Sequence, residues 1–283
     1  MHIAILGLGL IGGSLAYALR GFRAATLIGY DPDASTLSAA LTANAIDEAA
    51  PSPKEAVANA DLIIYASSPG TILYNIKHTL HHLKQGAILT EIGGVKGSVS
   101  TFMEQFLPLH TDYVGLHPMA GKEVGGFANA DGNLFRGTGM ILTPLPRSKP
   151  SSRALLEELC VHIGSGHLAT NTPAEHDAVI AYTSDLIHIA SAALCAHPHP
   201  NITAAHTAGA FRDCTRIADI DATLWAELLT QNADAILPML DAYISALSQV
   251  RNTLSSANTV ELHALLESWG HNKRTLKSVG IGI

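Results

Sequence analysis

The stretch that decides the fold is HIAILGLGLIGGSLAYALRG, residues 2–21. Its first five residues form a short apolar run that is typical of a buried strand. The pattern Gly-x-Gly-x-x-Gly follows at once, at residues 7–12, and a helical pattern comes after it. Alone this pattern is weak, but between a strand and a helix it predicts a turn that binds a dinucleotide.

Each glycine of this turn has a separate physical role. Gly7 permits the tight bend, Gly9 lets the backbone approach a pyrophosphate, and Gly12 lets the helix pack closely against the strand. The helix is predicted to begin near Leu10 and Ile11, so its first N–H groups are available to phosphate oxygens. We therefore predict that these five residues bind the cofactor.

Two further positions are predicted to line the cofactor site. Asp31 follows the strand ATLIGY, residues 25–30, and is expected to accept hydrogen bonds from the ribose hydroxyls and to repel a 2′-phosphate. This favours NAD over NADP. Ser67 ends another apolar run, at the edge of the sheet where ligands of such folds bind, although Ser67 and Ser68 as ordinary helix caps are an equal alternative.

The remaining pattern predicts two domains. Up to about residue 145, short apolar runs alternate with helical patterns, which predicts a mainly parallel, doubly wound sheet of the Rossmann type. The segment TPLPRSKPSS, residues 143–152, is rich in proline and serine, and beyond it long helical patterns dominate. We therefore predict an NAD-binding α/β domain over residues 1–147 and an all-α domain over residues 148–283.

Composition limits the partners. The formal net charge of −7 argues against nucleic acid, because phosphate binding needs clustered Lys and Arg. The richest apolar window, residues 177–196, contains Asp177, Asp185 and His188, so no membrane span is predicted. The three cysteines lack the paired spacing of a zinc or redox site, so we expect no metal and a cytoplasmic location.

His117 is the candidate for chemistry. It ends the strand DYVGL and so is predicted to lie at the rim where the nicotinamide binds, although the chain has 15 histidines. The segment HPMAGKE, residues 117–123, together with EIGGVKG, residues 91–97, and GAFRDCTRIADIDATLWAELL, residues 209–229, resembles the prephenate and arogenate dehydrogenase family of tyrosine biosynthesis. The resemblance also includes AEHDAVIAYTSDLIH, residues 174–188.

The resemblance implies an oxidative decarboxylation with NAD. A hydride leaves C4 of a cyclohexadienol, CO2 leaves C1, and the ring becomes aromatic. Loss of hydride from a carbinol carbon needs a base on its hydroxyl, and a neutral imidazole is suited to that proton. The family pattern therefore gives His117 the role of catalytic base. The small-molecule substrate, prephenate or arogenate, carries carboxylates, for which arginine is the better partner.

Matching the family motif position by position implies a set of substrate contacts: Arg216 as the main carboxylate anchor, Arg212, His188, Ser184, Glu123, Trp225 and Gly94. Several of these have alternatives. Arg212 could instead pair with Asp213 or Asp219, His188 could be a hydrogen-bonded core residue, and Trp225 could be core packing.

Two positions depart from the family pattern. Gly94 stands where the family usually has a serine that hydrogen-bonds the catalytic histidine and the reacting hydroxyl. The base then needs water or another hydroxyl, or it is held less firmly. Asp185 stands where many relatives have histidine, and either a contact to the amino group of arogenate or a local hydrogen bond is possible, the local one being favoured.

Two other functions remain open. One is another NAD-linked dehydrogenase of the same architecture, such as a β-hydroxyacid dehydrogenase or an imine reductase, but residues 173–196 lack the lysine that the β-hydroxyacid enzymes use. The other is a catalytically silent NAD-binding sensor, and Gly94 is the only feature that supports it. The apolar helices and the family resemblance also imply a homodimer through the helical domain.

Overall fold

A computed structural model describes residues 1–122 and 124–281. Within these residues one sheet has the strand order β3-β2-β1-β4-β5-β6-β7-β8. The strands are β1 (His2–Leu6), β2 (Thr26–Tyr30), β3 (Glu48–Ala49), β4 (Leu62–Tyr65), β5 (Ile88–Glu91), β6 (Asp112–Pro118), β7 (Gly139–Pro144) and β8 (His167–Thr170). Neighbouring strands are parallel except β6 and β7, which are antiparallel.

Helices cover the sheet and then form the rest of the described chain. The first six are α1 (Leu10–Ala18), α2 (Ala34–Thr42), α3 (Pro53–Ala58), α4 (Pro69–Thr79), α5 (Gly97–Phe106) and α6 (Pro150–His162). The next are α7 (Pro173–Ile180), α8 (Leu186–Cys195), α9 (Gly209–Thr215), α10 (Ala222–Gln231), α11 (Ala233–Ser255) and α12 (Thr259–Ser278). A π-helical turn, Ala181–Asp185, joins α7 to α8.

The central strands are buried on both faces, as expected of parallel strands between two helical layers. On β1, Ile3 and Ile5 pack in one apolar cluster with residues of α1 and α6, whereas Ala4 and Leu6 pack in a second cluster with residues of α3, α4 and α5. This alternation follows from the two-residue period of a strand. Both layers therefore fix the carboxyl end of β1, where the glycine turn begins.

The predicted parallel sheet followed by a helical half is confirmed, with two strands that the sequence pattern did not indicate. β3 has two residues, and β8 is a short, exposed edge strand. Because α6 packs in the first cluster and β8 pairs with β7, the sheet continues past the predicted boundary between residues 147 and 148. By internal contacts the chain divides into units 1–233 and 234–283.

Among the described residues, one helix, Pro173–Cys195, is long and apolar enough to cross a bilayer, with a mean hydropathy of 1.5. Its two aspartates are buried against protein groups. Asp177 accepts hydrogen bonds from the backbone of Lys96 and Gly97, and Asp185 accepts one from Asn232. Helices that belong to the core of a globular protein meet the same length and composition test.

A buried ion pair joins β5 to β6 where the two strands separate. Their ladder has only the pairs Ile88 with Asp112 and Leu89 with Tyr113, after which β6 pairs with β7 instead. The Lys96 ammonium group lies beyond this ladder and donates to Glu91 Oε1 at 2.7 Å and to the Leu116 carbonyl at 2.9 Å. Both charged side chains are fully buried.

The Glu91 carboxylate is also fully used by neighbouring donors. Its Oε1 accepts from the Tyr113 hydroxyl at 3.0 Å, and its Oε2 accepts from the Gly93 N–H at 2.6 Å. Burial lowers the pKa of Lys96, while the charge of Glu91 opposes that change. This pair therefore depends on its partners, because either charge alone would lie uncompensated in the interior.

We expect Lys96→Met to lower the free energy of unfolding by about 3 to 5 kcal/mol, because Glu91 would remain buried without its cation. Urea denaturation measures this change. Arg153→Met is the matched control, since Arg153 forms an exposed pair with Glu157, and its loss should cost about 1 kcal/mol or less. Equal effects of the two variants would contradict the prediction.

Candidate active site

The glycine turn after β1 has the shape that a dinucleotide requires. Gly7 has a φ of +97°, and a Cβ there would lie 2.6 Å from the Ala66 carbonyl oxygen. A Cβ on Gly12 would lie 1.9 Å from the carbonyl oxygen of Gly7. A Cβ on Gly9 would meet nothing within 4 Å, so the space beside Gly9 is open. Two of the glycines are thus required by packing, and the third borders the open space.

Polar groups face this turn and fit a bound phosphate. Gly9 is the N-cap residue of α1 and provides no side-chain hydrogen bond. The start of the helix, at Leu10 and Ile11, is therefore not capped by a side chain. Ser67 Oγ is buried and has no hydrogen-bond partner. A buried hydroxyl without a partner is costly, and a ligand oxygen would satisfy it. Ser68, in contrast, donates to Thr71 at 2.9 Å in the first turn of α4.

Asp31 lies directly after β2 and beside the glycine turn. Its Oδ2 accepts a hydrogen bond from the Leu8 N–H at 2.8 Å, and its Oδ1 accepts one from the Asp33 N–H at 3.0 Å. These bonds fix the carboxylate next to the loop that would hold the dinucleotide. The residues around Gly9 therefore fit a nucleotide with free ribose hydroxyls.

His117 lies at the carboxyl-terminal end of β6, and its imidazole is part of a chain of hydrogen bonds. His117 Nδ1 is 2.8 Å from His176 Nε2, and His176 Nδ1 is 2.7 Å from Asp177 Oδ1. His176 and Asp177 lie on α7, and both are buried. The N–H groups of Lys96 and Gly97 donate to the same carboxylate. Asp177 therefore connects the histidine pair to the start of α5.

The surroundings of His117 keep its imidazole neutral. Burial lowers the pKa of His117 well below its ordinary value of 6.5, and the electrostatic effects of Lys96 and His176 act in the same direction. A histidine with such a pKa is uncharged at neutral pH and can accept a proton. The side chain therefore has the protonation state that a general base needs.

Gly94 lies beside the other ring nitrogen of His117. A Cβ on Gly94 would be 3.9 Å from His117 Nε2 and 3.3 Å from Leu228 Cδ2. A side chain at position 94 would thus point toward the imidazole, but glycine offers no hydroxyl. Leu228 lies on α10, so that helix covers the turn after β5.

Other predicted substrate contacts gather around α8 and α10. The rings of His188 and Trp225 are 3.8 Å apart between centroids, and His188 Nδ1 contacts the Ser184 carbonyl at 2.9 Å. Burial lowers the pKa of His188, the hydrogen bond that His188 donates to the Ser184 carbonyl opposes this change, and the charge of Arg216 lowers the pKa further. The structure therefore brings together His188, Trp225, Ser184 and Arg216.

Arg212 and Asp185 each contact another protein side chain. Arg212 is exposed and lies 3.7 Å from an Asp213 oxygen, which is the alternative noted for it. Glu123 lies outside the described residues. Asp185 is buried, and its partner is Asn232, whose Nδ2 donates to it at 2.7 Å across 47 residues of the chain. Burial raises the pKa of Asp185 despite this bond.

His176 and Asp177 were not among the site residues predicted from the sequence. Both fall within the segment of residues 174–188 that carries the resemblance, and adjacent histidine and aspartate residues at the start of a helix were the available signal. What the sequence does not give is the distance across 59 residues between His117 and His176. That contact depends on how α7 packs against β6.

Comparisons with known proteins agree with this geometry. The family model described as prephenate dehydrogenase, nucleotide-binding domain, matches residues 15–169, and the model described as prephenate dehydrogenase, dimerization domain, matches residues 172–268. The chain belongs to the prephenate dehydrogenase family. The predicted family and fold class are thereby confirmed.

Individual members of the prephenate dehydrogenase family align over nearly the whole chain. The prephenate dehydrogenase of Bacillus subtilis (strain 168) is 31% identical over 267 residues, which are 92% of this chain and 72% of that protein. The arogenate dehydrogenase structure from Synechocystis is 30% identical, with a TM-score of 0.83 over 97% of this chain and 99% of that one.

A third relative was crystallised with ligands. The prephenate dehydrogenase of A. aeolicus, in complex with hydroxyphenyl propionate and NAD+, is 26% identical and has a TM-score of 0.86, covering 98% of both chains. The NAD+ of that complex is the kind of ligand for which the turn around Gly9 leaves open space in this chain. The relatives differ in the substrate that they are named for, so family membership alone does not select prephenate or arogenate.

We expect Asp31→Ser to narrow the preference for NAD over NADP. The carboxylate repels a 2′-phosphate, and serine removes that charge while leaving a polar group. Steady-state kinetics with each nucleotide measures the ratio of the two kcat/KM values. If the wild-type protein used NADP as well as NAD, this role of Asp31 would be wrong.

Proposed function

We propose that this chain catalyses the NAD-dependent oxidative decarboxylation of prephenate or arogenate, giving 4-hydroxyphenylpyruvate or tyrosine. The observation that carries the proposal is His117, a half-buried and neutral imidazole at the carboxyl end of β6, in the same sheet whose first strand leads into the nucleotide turn. Membership of the prephenate dehydrogenase family supports the same reaction.

Each residue then has a defined part. His117 takes the proton of the C4 hydroxyl as the hydride leaves C4, and the bound nicotinamide supplies the hydride acceptor. As CO2 leaves C1, its bonding electrons enter the ring, and the C4 oxygen takes the proton back from His117 to form the phenol. The chain thus returns to its starting protonation state with no net proton gained.

The cofactor and substrate contacts are part of the proposal. The pyrophosphate is held by the glycine turn and the start of α1, that is, by Gly7, Gly9, Leu10, Ile11 and Gly12. Asp31 binds the ribose, and Ser67 offers its buried hydroxyl. Among the described residues, no cluster of three or more His, Cys, Asp and Glu side chains could hold a metal ion.

The substrate pocket is proposed to lie between Gly94 and the neighbours of Trp225. Arg216 binds a substrate carboxylate, with His188, Ser184 and Trp225 beside it. Arg212 remains a proposed contact beside Arg216, and Glu123 remains a proposed contact at the mouth of the pocket. A planar guanidinium group suits a carboxylate because it can donate two parallel hydrogen bonds.

The helical half is proposed to form a homodimer. Residues 172–268 match a family domain described as a dimerization domain. Unit 234–283 by itself exposes large apolar side chains, including Leu237, Ile244, Leu247 and Val260. A two-fold interface would cover such a surface. We further propose a cytoplasmic location, which the free thiols of the three described cysteines support.

The reaction is tested by mixing purified protein with NAD and either prephenate or arogenate, and recording NADH absorbance. His117→Asn should keep the fold and NAD binding but lose about 10²- to 10⁴-fold in kcat, the usual contribution of a positioned base. Because the pKa of His117 is lowered, wild-type kcat/KM should be constant above pH 6.5 and fall only well below it. Near-normal turnover of His117→Asn would contradict the assignment.

We expect Arg216→Gln to raise the KM for the substrate about 10- to 100-fold and to change kcat much less, because a carboxylate held throughout the reaction loses its cation. Steady-state kinetics with both substrates, combined with a thermal melt, measures this effect. Arg212→Gln is the comparison, since Arg212 pairs with Asp213 at the surface and should matter less. A lowered Tm with unchanged KM would show that Arg216 only braces its helix.

A further inference from the structure

The hydrogen-bond chain behind His117 determines which of its nitrogens carries a proton. Asp177 Oδ1 and Oδ2 accept hydrogen bonds from the N–H groups of Lys96 and Gly97, so this side chain acts as an acceptor. His176 must therefore donate its Nδ1–H to Oδ1, across the 2.7 Å contact.

The next step follows from the chemistry of a neutral imidazole, in which one nitrogen donates and the other accepts. A neutral His176 with its proton on Nδ1 presents a bare Nε2 to His117, and this neutral state of His176 is part of the proposal. The 2.8 Å contact then requires a proton on His117 Nδ1. His117 Nε2 is left with its lone pair free, on the side where Gly94 lies.

We propose that His176 and Asp177 are positioning residues that hold His117 in the Nδ1–H tautomer, so that Nε2 is the atom that accepts the substrate proton. This inference rests on the proposed function, because it concerns the base of that reaction. The relay holds the ring from the side opposite Gly94, and so supplies the orientation that a side-chain hydroxyl at position 94 would otherwise give.

The charges around the ring fit this role. Lys96, from the turn after β5, faces His117 and opposes its protonation, while its own charge is held by the buried Glu91 carboxylate. Asp177, from α7, is the negative group in line with the ring through His176. When His117 gains the hydroxyl proton, Asp177 is placed to stabilise the resulting imidazolium.

A purely structural role for Asp177 is the competing explanation, because its carboxylate also caps the first turn of α5. The two explanations differ in what an amide does. In Asp177→Asn, the amide oxygen can take the place of Oδ2 and accept from the Gly97 N–H, while the NH2 group takes the place of Oδ1, donates to His176 Nδ1 and leaves the Lys96 N–H without this acceptor. That would reverse the relay, so that His176 donates to His117 and the proton moves to His117 Nε2.

The direct test is long-range ¹H–¹⁵N NMR of the wild-type protein with labelled histidine, which reports the protonated nitrogen of each ring. The signals of His117 and His176 are identified by their loss in His117→Asn and His176→Leu. We expect the Nδ1–H tautomer for both rings at neutral pH. A proton on His117 Nε2 would overturn the proposal, and this readout needs neither substrate nor turnover.

Kinetic variants provide the second test. His176→Leu removes the acceptor and should lower kcat about 10²-fold with little change in the KM for NAD, since part of His117 adopts the inactive tautomer. His176→Gln places an amide oxygen within reach of His117 Nδ1 and should recover part of that loss. Asp177→Asn should lower kcat at least as much as His176→Leu and move the His117 proton in the NMR spectrum.

Thr172→Ala is the matched control, because Thr172 caps the same helix α7 through Glu175 without touching the relay. It should lower the Tm while leaving kcat within about two-fold. If Thr172→Ala and Asp177→Asn had equal effects on kcat, the role of Asp177 would be structural and the proposal wrong. If the wild-type protein oxidised neither prephenate nor arogenate while His117 kept the Nδ1–H tautomer, the proposed function would fail and the relay would stand.

Discussion

The active site depends on one buried ion pair, between Glu91 and Lys96. Parallel strands β5 and β6 separate after two residue pairs, and the Lys96 ammonium group fills the opening with hydrogen bonds to both strands. This contact places the end of β6, and so His117, beside the turn that contains Gly94. Burial and then the charge of this same cation lower the pKa of His117. Fold and chemistry therefore share a single electrostatic element.

Much of the fold can be predicted from the sequence because the strands of a parallel sheet are continuous apolar runs. The run over residues 2–6 and the glycine turn are patterns of adjacent residues, so they can be recognised without knowing the tertiary contacts. β8 could not be predicted in this way, since His167–Thr170 is short, exposed and without apolar alternation. It is a strand because it pairs with β7, which is a tertiary property.

The same distinction between local patterns and tertiary contacts applies to the residues of the active site. His117 was identified from its position at the end of a strand and from a family motif, and Asp31 from its distance to Gly12. His176 needed a contact across 59 residues, which no spacing rule supplies. Arg216 was ranked above Arg212 by the family motif alone, since helical spacing treats the two alike. Both side chains are exposed in the folded chain, but Arg212 lies beside Asp213, whereas the charge of Arg216 acts on His188.

The double contact of Asp177 also has a consequence for mobility. Since its carboxylate binds the start of α5 and its neighbour His176 binds the end of β6, helix α7 is tied to the sheet as a rigid piece. The α-helical hydrogen-bond pattern is interrupted directly after α7, at the π-helical turn Ala181–Asp185. Movements that admit a substrate are therefore expected beyond this turn, in the helices that carry His188 and Trp225, while the proton-accepting atom stays stationary.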